Sequence, residues 1–167
     1  MTLEKLGARS GKIRFYECAY YMFSNFSAFT VELDGIVYMT AEHAYQALKF
    51  SDPTIQELVR AASSAHRAKE IAHEHYAHLR SDWSDETKIA LMRRIVRAKR
   101  EQHHVVEDAL IRSGSQLIIE DSPTDFFWGI GSVTHATPEN GRSFPGRNEL
   151  GKLWMEERRY VVTDIAA

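Results

Sequence analysis

Between Thr40 and Phe50 the sequence runs Thr-Ala-Glu-His-Ala-Tyr-Gln-Ala-Leu-Lys-Phe, and a carboxylate, an amide and an amine recur at helical spacing. At about 100° per residue Glu42, Gln46 and Lys49 fall on one stripe, and Ala41, Tyr45 and Leu48 on the next. Such a trio can relay a proton, orient a polar substrate or, through the amine, form a carbon–nitrogen bond. It can also be a ridge facing water, the commoner fate of a charged helix face. A second segment with unusual chemistry is Asp121–Gly131, in which Asp125 precedes Phe126, Phe127 and Trp128, and Gly129 and Gly131 allow a backbone or a ligand to come close. Between Tyr20 and Phe29 five aromatic residues surround Ser24 and Asn25. They are either a lid of core aromatics or a surface on which a planar ring stacks. Trp83, just before Ser84, either staples a helix entry or offers its ring to a ligand. His66, His73, His75 and His78 lie close together, but their spacing matches no ligand motif, so neither a metal nor another cofactor is expected.

These groups need elements to hold them. Thr40 is an N-cap for a helix over Thr40–Phe50, Asp52-Pro53 opens a second helix to Ala62, and Ser63-Ser64 starts a third from His66 to Leu79. Ser84 caps a long, locally basic helix from Asp85 to His104, with Ile89, Met92, Ile95, Val96 and Lys99 at helical spacing. Val105–Ser113 is a further helix closed by Gly114, and Asn148 caps the last, Glu149–Tyr160, with Gly151 in its first turn. A glycine there costs about 1 kcal/mol relative to alanine, which indicates tight packing or a ligand nearby. Strands are predicted for residues 13–17 and 116–120, and Asp34-Gly35 between two β-prone runs marks a hairpin. The polar stretch Ser132–Arg147 reads as a mobile loop.

One compact domain is expected, with a loose arm (1–12) at its start. At 167 residues and 44% hydrophobic content the chain can bury one sizeable core. Its 21 basic and 23 acidic side chains leave a net charge of −2, which argues against a protein that coats nucleic acid through bulk positive charge. The sole cysteine, Cys18, excludes an internal disulfide and a cysteine zinc site. No apolar run approaches a membrane span and the start lacks a signal-peptide core, so no membrane partner and a cytoplasmic location are expected. The oligomeric state is not legible.

Taken together, Phe15-Tyr16, Phe23-Ser24-Asn25-Phe26, Thr40–Phe50, Asp82-Trp83, Arg97-Ala98-Lys99, Asp125–Gly129 and Asn148–Gly151 resemble the NADAR (YbiA-like) family, over Ile13 to Tyr160. The resemblance implies an α+β fold, a compact helix-rich single domain with a small β-sheet that spans residues 13–162 before a tail (163–167), and N-glycosidase activity. One branch of the family cleaves ribosylamine intermediates of early riboflavin synthesis; another removes ADP-ribose from the guanine amino group of DNA or nucleotides. The family's essential glutamate, tryptophan and aspartate would fall on Glu42, Trp83 and Asp125. Three departures stand out: Arg100 in place of a frequent phenylalanine, Trp154 in place of a small aliphatic residue, and a long Ser132–Arg147 segment. The start and end of that segment favour the ADP-ribose branch.

Cleaving a ribosyl C–N bond develops positive charge at the anomeric carbon, so the implied chemistry needs a carboxylate to stabilise it and an acidic group to manage protons. Glu42 and Asp125 would share these roles, in either order. Alternatively the sugar opens to an imine and Lys49 attacks it to form a Schiff base. Phe23, Trp83 and Trp128 would stack on a base, Asn25 and Asn148 would hold ribose or phosphate, and Arg14, Lys99 or Arg147 would reach phosphate. Tyr16, Ser24, Phe26, Gln46, Gly129, Gly131 and Gly151 complete the expected ligand contacts. The expected partners are an ADP-ribose-type or ribosylated nucleotide substrate and, as its carrier, ADP-ribosylated DNA.

Overall fold

The computed structural model describes residues 11–15, 20–131 and 144–165. Tyr16, Cys18, residues 1–10 of the expected arm, most of the expected mobile loop and the last two residues lie outside the described residues. The chain groups into two compact units, one of residues 25–104 and one of residues 1–24 with 105–167. The strands are β1 (Lys12–Phe15), β2 (Val31–Leu33), β3 (Ile36–Tyr38) and β4 (Leu117–Glu120). The helices are α1 (Ala41–Ala47), α2 (Pro53–Arg60), α3 (Ala65–Glu74), α4 (Asp85–Gln102), α5 (His104–Arg112) and α6 (Glu149–Ile165).

In the 25–104 unit the β2–β3 hairpin pairs Val31 with Tyr38 and Leu33 with Ile36. Its two-residue turn is Asp34-Gly35, both at positive φ (54° and 78°), the backbone that a right-twisted ribbon demands. The hairpin leads straight into α1, which packs against α2, α3 and α4. Each of these helices starts where the sequence supplies a cap. Thr40 accepts from the His43 amide, Asp52 from Thr54, Ser64 from Arg67, and Ser84 forms a reciprocal box with Thr87.

The other unit pairs β1 with β4 in parallel, Lys12 to Leu117 through Phe15 to Glu120, with α6 packed on β4. Its core contains Phe15, Phe23, Ile118, Ile119, Ile130 and Trp154, all essentially without exposure. Trp154 has its indole N–H satisfied by the Phe23 carbonyl at 3.0 Å, and its ring lies 5.2 Å from that of Phe23. A large aromatic is accommodated at this position because its single donor finds a partner.

The structure revises several expectations. There are two separate two-stranded sheets among the described residues, not one small sheet. α1 ends at Ala47 rather than Phe50, because Phe50 bridges to Leu79 and Lys49 gives its carbonyl to the Arg80 amide, which draws the chain off the helical path. Lys49 is therefore not on the helix. α3 stops at Glu74 and a short 3-10 turn, Tyr76–His78, takes the place of its expected last turn. α6 continues beyond Tyr160 to Ile165, into the expected tail. Of the two readings of the α1 stripe, the inward-facing one holds: every residue from Ala41 to Ala47 is buried, Glu42 and Gln46 included.

Candidate active site

α1 is short and wholly buried, so a carboxylate on it must be held by protein groups. Glu42 is 5% exposed and accepts from Gln46 Nε2 at 2.7 Å, the bond that their one-turn separation permits. Its backbone amide donates to the Asn25 carbonyl at 2.9 Å, which fastens the aromatic loop to the start of the helix. His43, at the back of α1, is structural. Its Nε2 faces the Ala62 carbonyl at 3.0 Å and so carries the proton, leaving Nδ1 to accept from the Thr40 hydroxyl at 2.8 Å.

Asn25 is buried, and its Oδ1 has no hydrogen-bond partner among the described residues, while Nδ2 meets only the Met92 sulfur at 3.5 Å. A buried amide left incomplete costs about 1–3 kcal/mol, and such a cost inside a folded chain points to a function.

A cavity of about 630 Å³ opens in the same unit, with Gln46, Lys49 and Trp83 in its wall. Glu42 stands one hydrogen bond behind that wall, through Gln46. The Trp83 ring tilts against Tyr45 with centroids 5.8 Å apart, and the Lys49 ammonium lies 4.7 Å from the centre of the same Tyr45 ring. Losing the helical stripe thus does not separate Lys49 from Gln46 or Trp83; all three meet at the cavity. Phe26 packs edge-on against His66, another cavity residue, at 4.9 Å.

Lys99, on α4 of the same unit, has no exposure and donates to Ser27 Oγ at 2.6 Å, beside the Phe29 ring at 5.2 Å. Burial pushes its amine down to about 7. Lys99 shares its face of α4 with the buried Met92, Ile95 and Val96, the helical spacing that marks it in the sequence, whereas nothing in the sequence marks Ser27 as its partner.

The remaining expected residues lie in the other unit and are largely occupied by the chain itself. Asp125 Oδ1 accepts from the amides of Phe127 and Trp128 at 2.8 and 2.7 Å, so this carboxylate shapes its own loop. Trp128 packs edge-on with Phe127, and Phe23 is a core ring. Ser24, also in this unit, is buried and donates its amide to the Tyr21 carbonyl at 3.1 Å. Asn148, at φ 54°, bridges the Glu120 amide and the Ile118 carbonyl with its side chain. The close approaches that the glycines permit are by the chain's own atoms. A Cβ on Gly151 would sit 2.3 Å from the Ile118 carbonyl oxygen, and one on Gly129 would sit 3.0 Å from that of Glu120. Gly131, at φ 58°, has the Phe126 ring over it. Arg14 pairs with Asp121 at 2.6 Å, yet its Nη2 is buried without an acceptor among the described residues; Arg147 lies over the Phe127 ring at 4.4 Å. Among the described residues no cluster of three or more histidine, cysteine, aspartate or glutamate side chains could hold a metal, and no helix is long and apolar enough to cross a membrane.

A cavity walled by an amide, an amine and an indole, with a buried carboxylate bonded to that amide, forms a site suited to a polar, ring-bearing ligand. Known proteins are similar to the chain over most of its length. The chain is 34% identical to N-glycosidase YbiA of Shigella boydii over 91% of its length and 89% of that protein. It is 35% identical to riboflavin biosynthesis protein VVA0006 of Vibrio vulnificus, over 81% of this chain and 34% of that longer one. The NMR structure of E. coli YbiA superposes with a TM-score of 0.79 at 30% identity, covering 99% of this chain and 96% of that one. The NADAR domain model matches residues 14–161, and the chain belongs to the NADAR domain family.

Proposed function

We propose that the 25–104 unit carries the reaction centre of an N-glycosidase that cleaves a ribosyl C–N bond to an amine. The chain is a hydrolase acting on N-glycosyl bonds, as its YbiA relatives are named. The observation that carries the location is Glu42, a buried carboxylate tied to Gln46 and set beside the incompletely bonded Asn25. As the C–N bond breaks, Glu42 stabilises the cationic anomeric carbon or takes the proton of the attacking water. Asn25 Oδ1 accepts a hydrogen bond from the sugar or the amine, which gives the buried amide its missing partner. Trp83 stacks on the ring of the ligand. Lys49 offers a second route, addition to the ring-opened imine with expulsion of the amine and formation of a protein–sugar Schiff base that water then cleaves. Asp125 belongs to the other unit, and its part in the chemistry rests on family membership alone.

The finer reading is that the released group is guanine, with ADP-ribose removed from its amino group in DNA or a nucleotide. It rests on the sequence flanking the Ser132–Arg147 segment. A second reading, hydrolysis of ribosylaminopyrimidine intermediates, is favoured by the relatives named for riboflavin biosynthesis. Incubating the protein with ADP-ribosylated guanine DNA and, separately, with a ribosylaminopyrimidine phosphate separates the two by which one releases sugar. Glu42→Gln is expected to lower kcat by about 10²–10⁴-fold on the substrate that turns over. Turnover of neither substrate refutes both readings, and an undiminished Glu42→Gln variant refutes the assignment of Glu42.

A further inference from the structure

We infer that the α3 side of the cavity is a phosphoryl subsite, with Lys69 as its principal cation and His66 and His73 as imidazole donors. The proposal rests on the N-glycosidase reading and adds the substrate's anionic end to it.

His66, Lys69 and His73 all line the cavity. At about 100° per residue they fall within about 60° of arc on α3, so the three side chains make one stripe along the wall. The stripe borders the packed face of the helix, where Ala65, Ala68 and Ala72 are buried. The cavity also has acidic lining, Glu70 and Glu74, which lies on the other flank of the stripe. Both of these carboxylates are drawn away by one guanidinium: Arg67 Nη1 holds Glu70 at 3.1 Å and Glu74 at 2.9 Å. One guanidinium offsets one of the two carboxylate charges, so the acidic flank keeps a net charge of −1, while Lys69 makes no ion pair among the described residues and stands free to meet an anion. Phe26, edge-on to His66 at 4.9 Å, fixes that imidazole against the wall. Lys49 adds a second ammonium to the cavity lining, and Trp83 brings the apolar surface on which a ring can lie.

Ammonium and imidazole N–H groups set along one side of a concave site match the oxygens of a phosphate, and because His66, Lys69 and His73 are solvent-exposed the contacts they make weaken with added salt. A ribosyl substrate can bring a phosphoryl group in two forms, the terminal monoester of a ribose 5-phosphate or the internal diphosphate of ADP-ribose. The shared chemistry is the phosphoryl anion, and the source is for the test to decide.

Isothermal titration with ribose 5-phosphate, ADP-ribose and unphosphorylated ribose tests the inference on the intact chain. The expected result is saturable binding of at least one phosphorylated probe, no detectable binding of ribose, and a loss of about tenfold or more in affinity in Lys69→Glu. His73→Gln, which keeps an N–H donor of similar reach, is expected to weaken binding less than His73→Leu. Binding of ribose 5-phosphate but not ADP-ribose identifies a monoester subsite, and the reverse identifies a diphosphate subsite. Lys69→Glu with wild-type affinity, or a wild-type protein that binds neither phosphorylated probe, overturns the inference. The N-glycosidase reading fails on a different observation, the absence of turnover, whatever the phosphate affinity proves to be.

Discussion

Lys99 offers a test of the packing that surrounds the candidate site. Its amine is buried against Ser27 and the Phe29 ring, and burial lowers it from the ordinary 10.5 to about 7. In the unfolded chain the same amine returns to its ordinary value. Below pH 7 it is protonated in both states, and folding carries the full cost of burying a charge. Between pH 7 and 10.5 the unfolded chain binds more protons than the folded one, so stability rises with pH. From pH 6 to pH 9 this single group should add about 2.5 kcal/mol to the free energy of unfolding. Lys99→Met keeps the length and apolar contacts of the side chain and removes the titration. Urea unfolding of both proteins at pH 6, 7, 8 and 9 measures the difference directly. The variant should be the more stable at pH 6, and the gap should close by about 2.5 kcal/mol by pH 9. A difference that stays constant with pH would show that Lys99 keeps its proton on folding and would refute the argument from burial.

Two further predictions concern the site itself. Asn25→Ala should cost less than about 1 kcal/mol of stability, because it removes an amide that is already incompletely bonded, yet it should lower kcat/KM by about tenfold or more; a large loss of stability with unchanged kcat/KM would mean that Asn25 serves the fold alone. Borohydride added during turnover should leave a sugar adduct on Lys49, detected by mass spectrometry and absent from Lys49→Arg; no adduct on Lys49 while substrate is consumed would favour direct hydrolysis over the imine route.

Local chemistry was legible in the sequence wherever one residue type settles a backbone question. Thr40, Asp52, Ser64 and Ser84 cap the helices they were expected to cap, and Asp34-Gly35 makes the predicted turn, because these features depend on a side chain and its near neighbours alone. Membership of the NADAR family was legible as well, since the order of the motifs survives without knowledge of their contacts.

What the sequence could not determine was which polar side chains face inward, or with whom. Periodicity marks Glu42, Gln46 and Lys49 as neighbours but gives a wet ridge and a buried wall the same pattern. Only the packing of α2, α3 and α4 around α1 buries the first two, and only the pull of Phe50 toward Leu79 takes Lys49 off the helix while leaving it at the cavity. The same holds for residues with two available uses. Asn25 and Asn148 look equivalent as ligand-holding amides in the sequence, yet Asn148 satisfies a strand carbonyl and amide while Asn25 keeps an oxygen unbonded. Hydrogen-bond satisfaction is a property of three-dimensional surroundings, so it is the tertiary structure that separates a residue kept for the fold from one kept for the ligand.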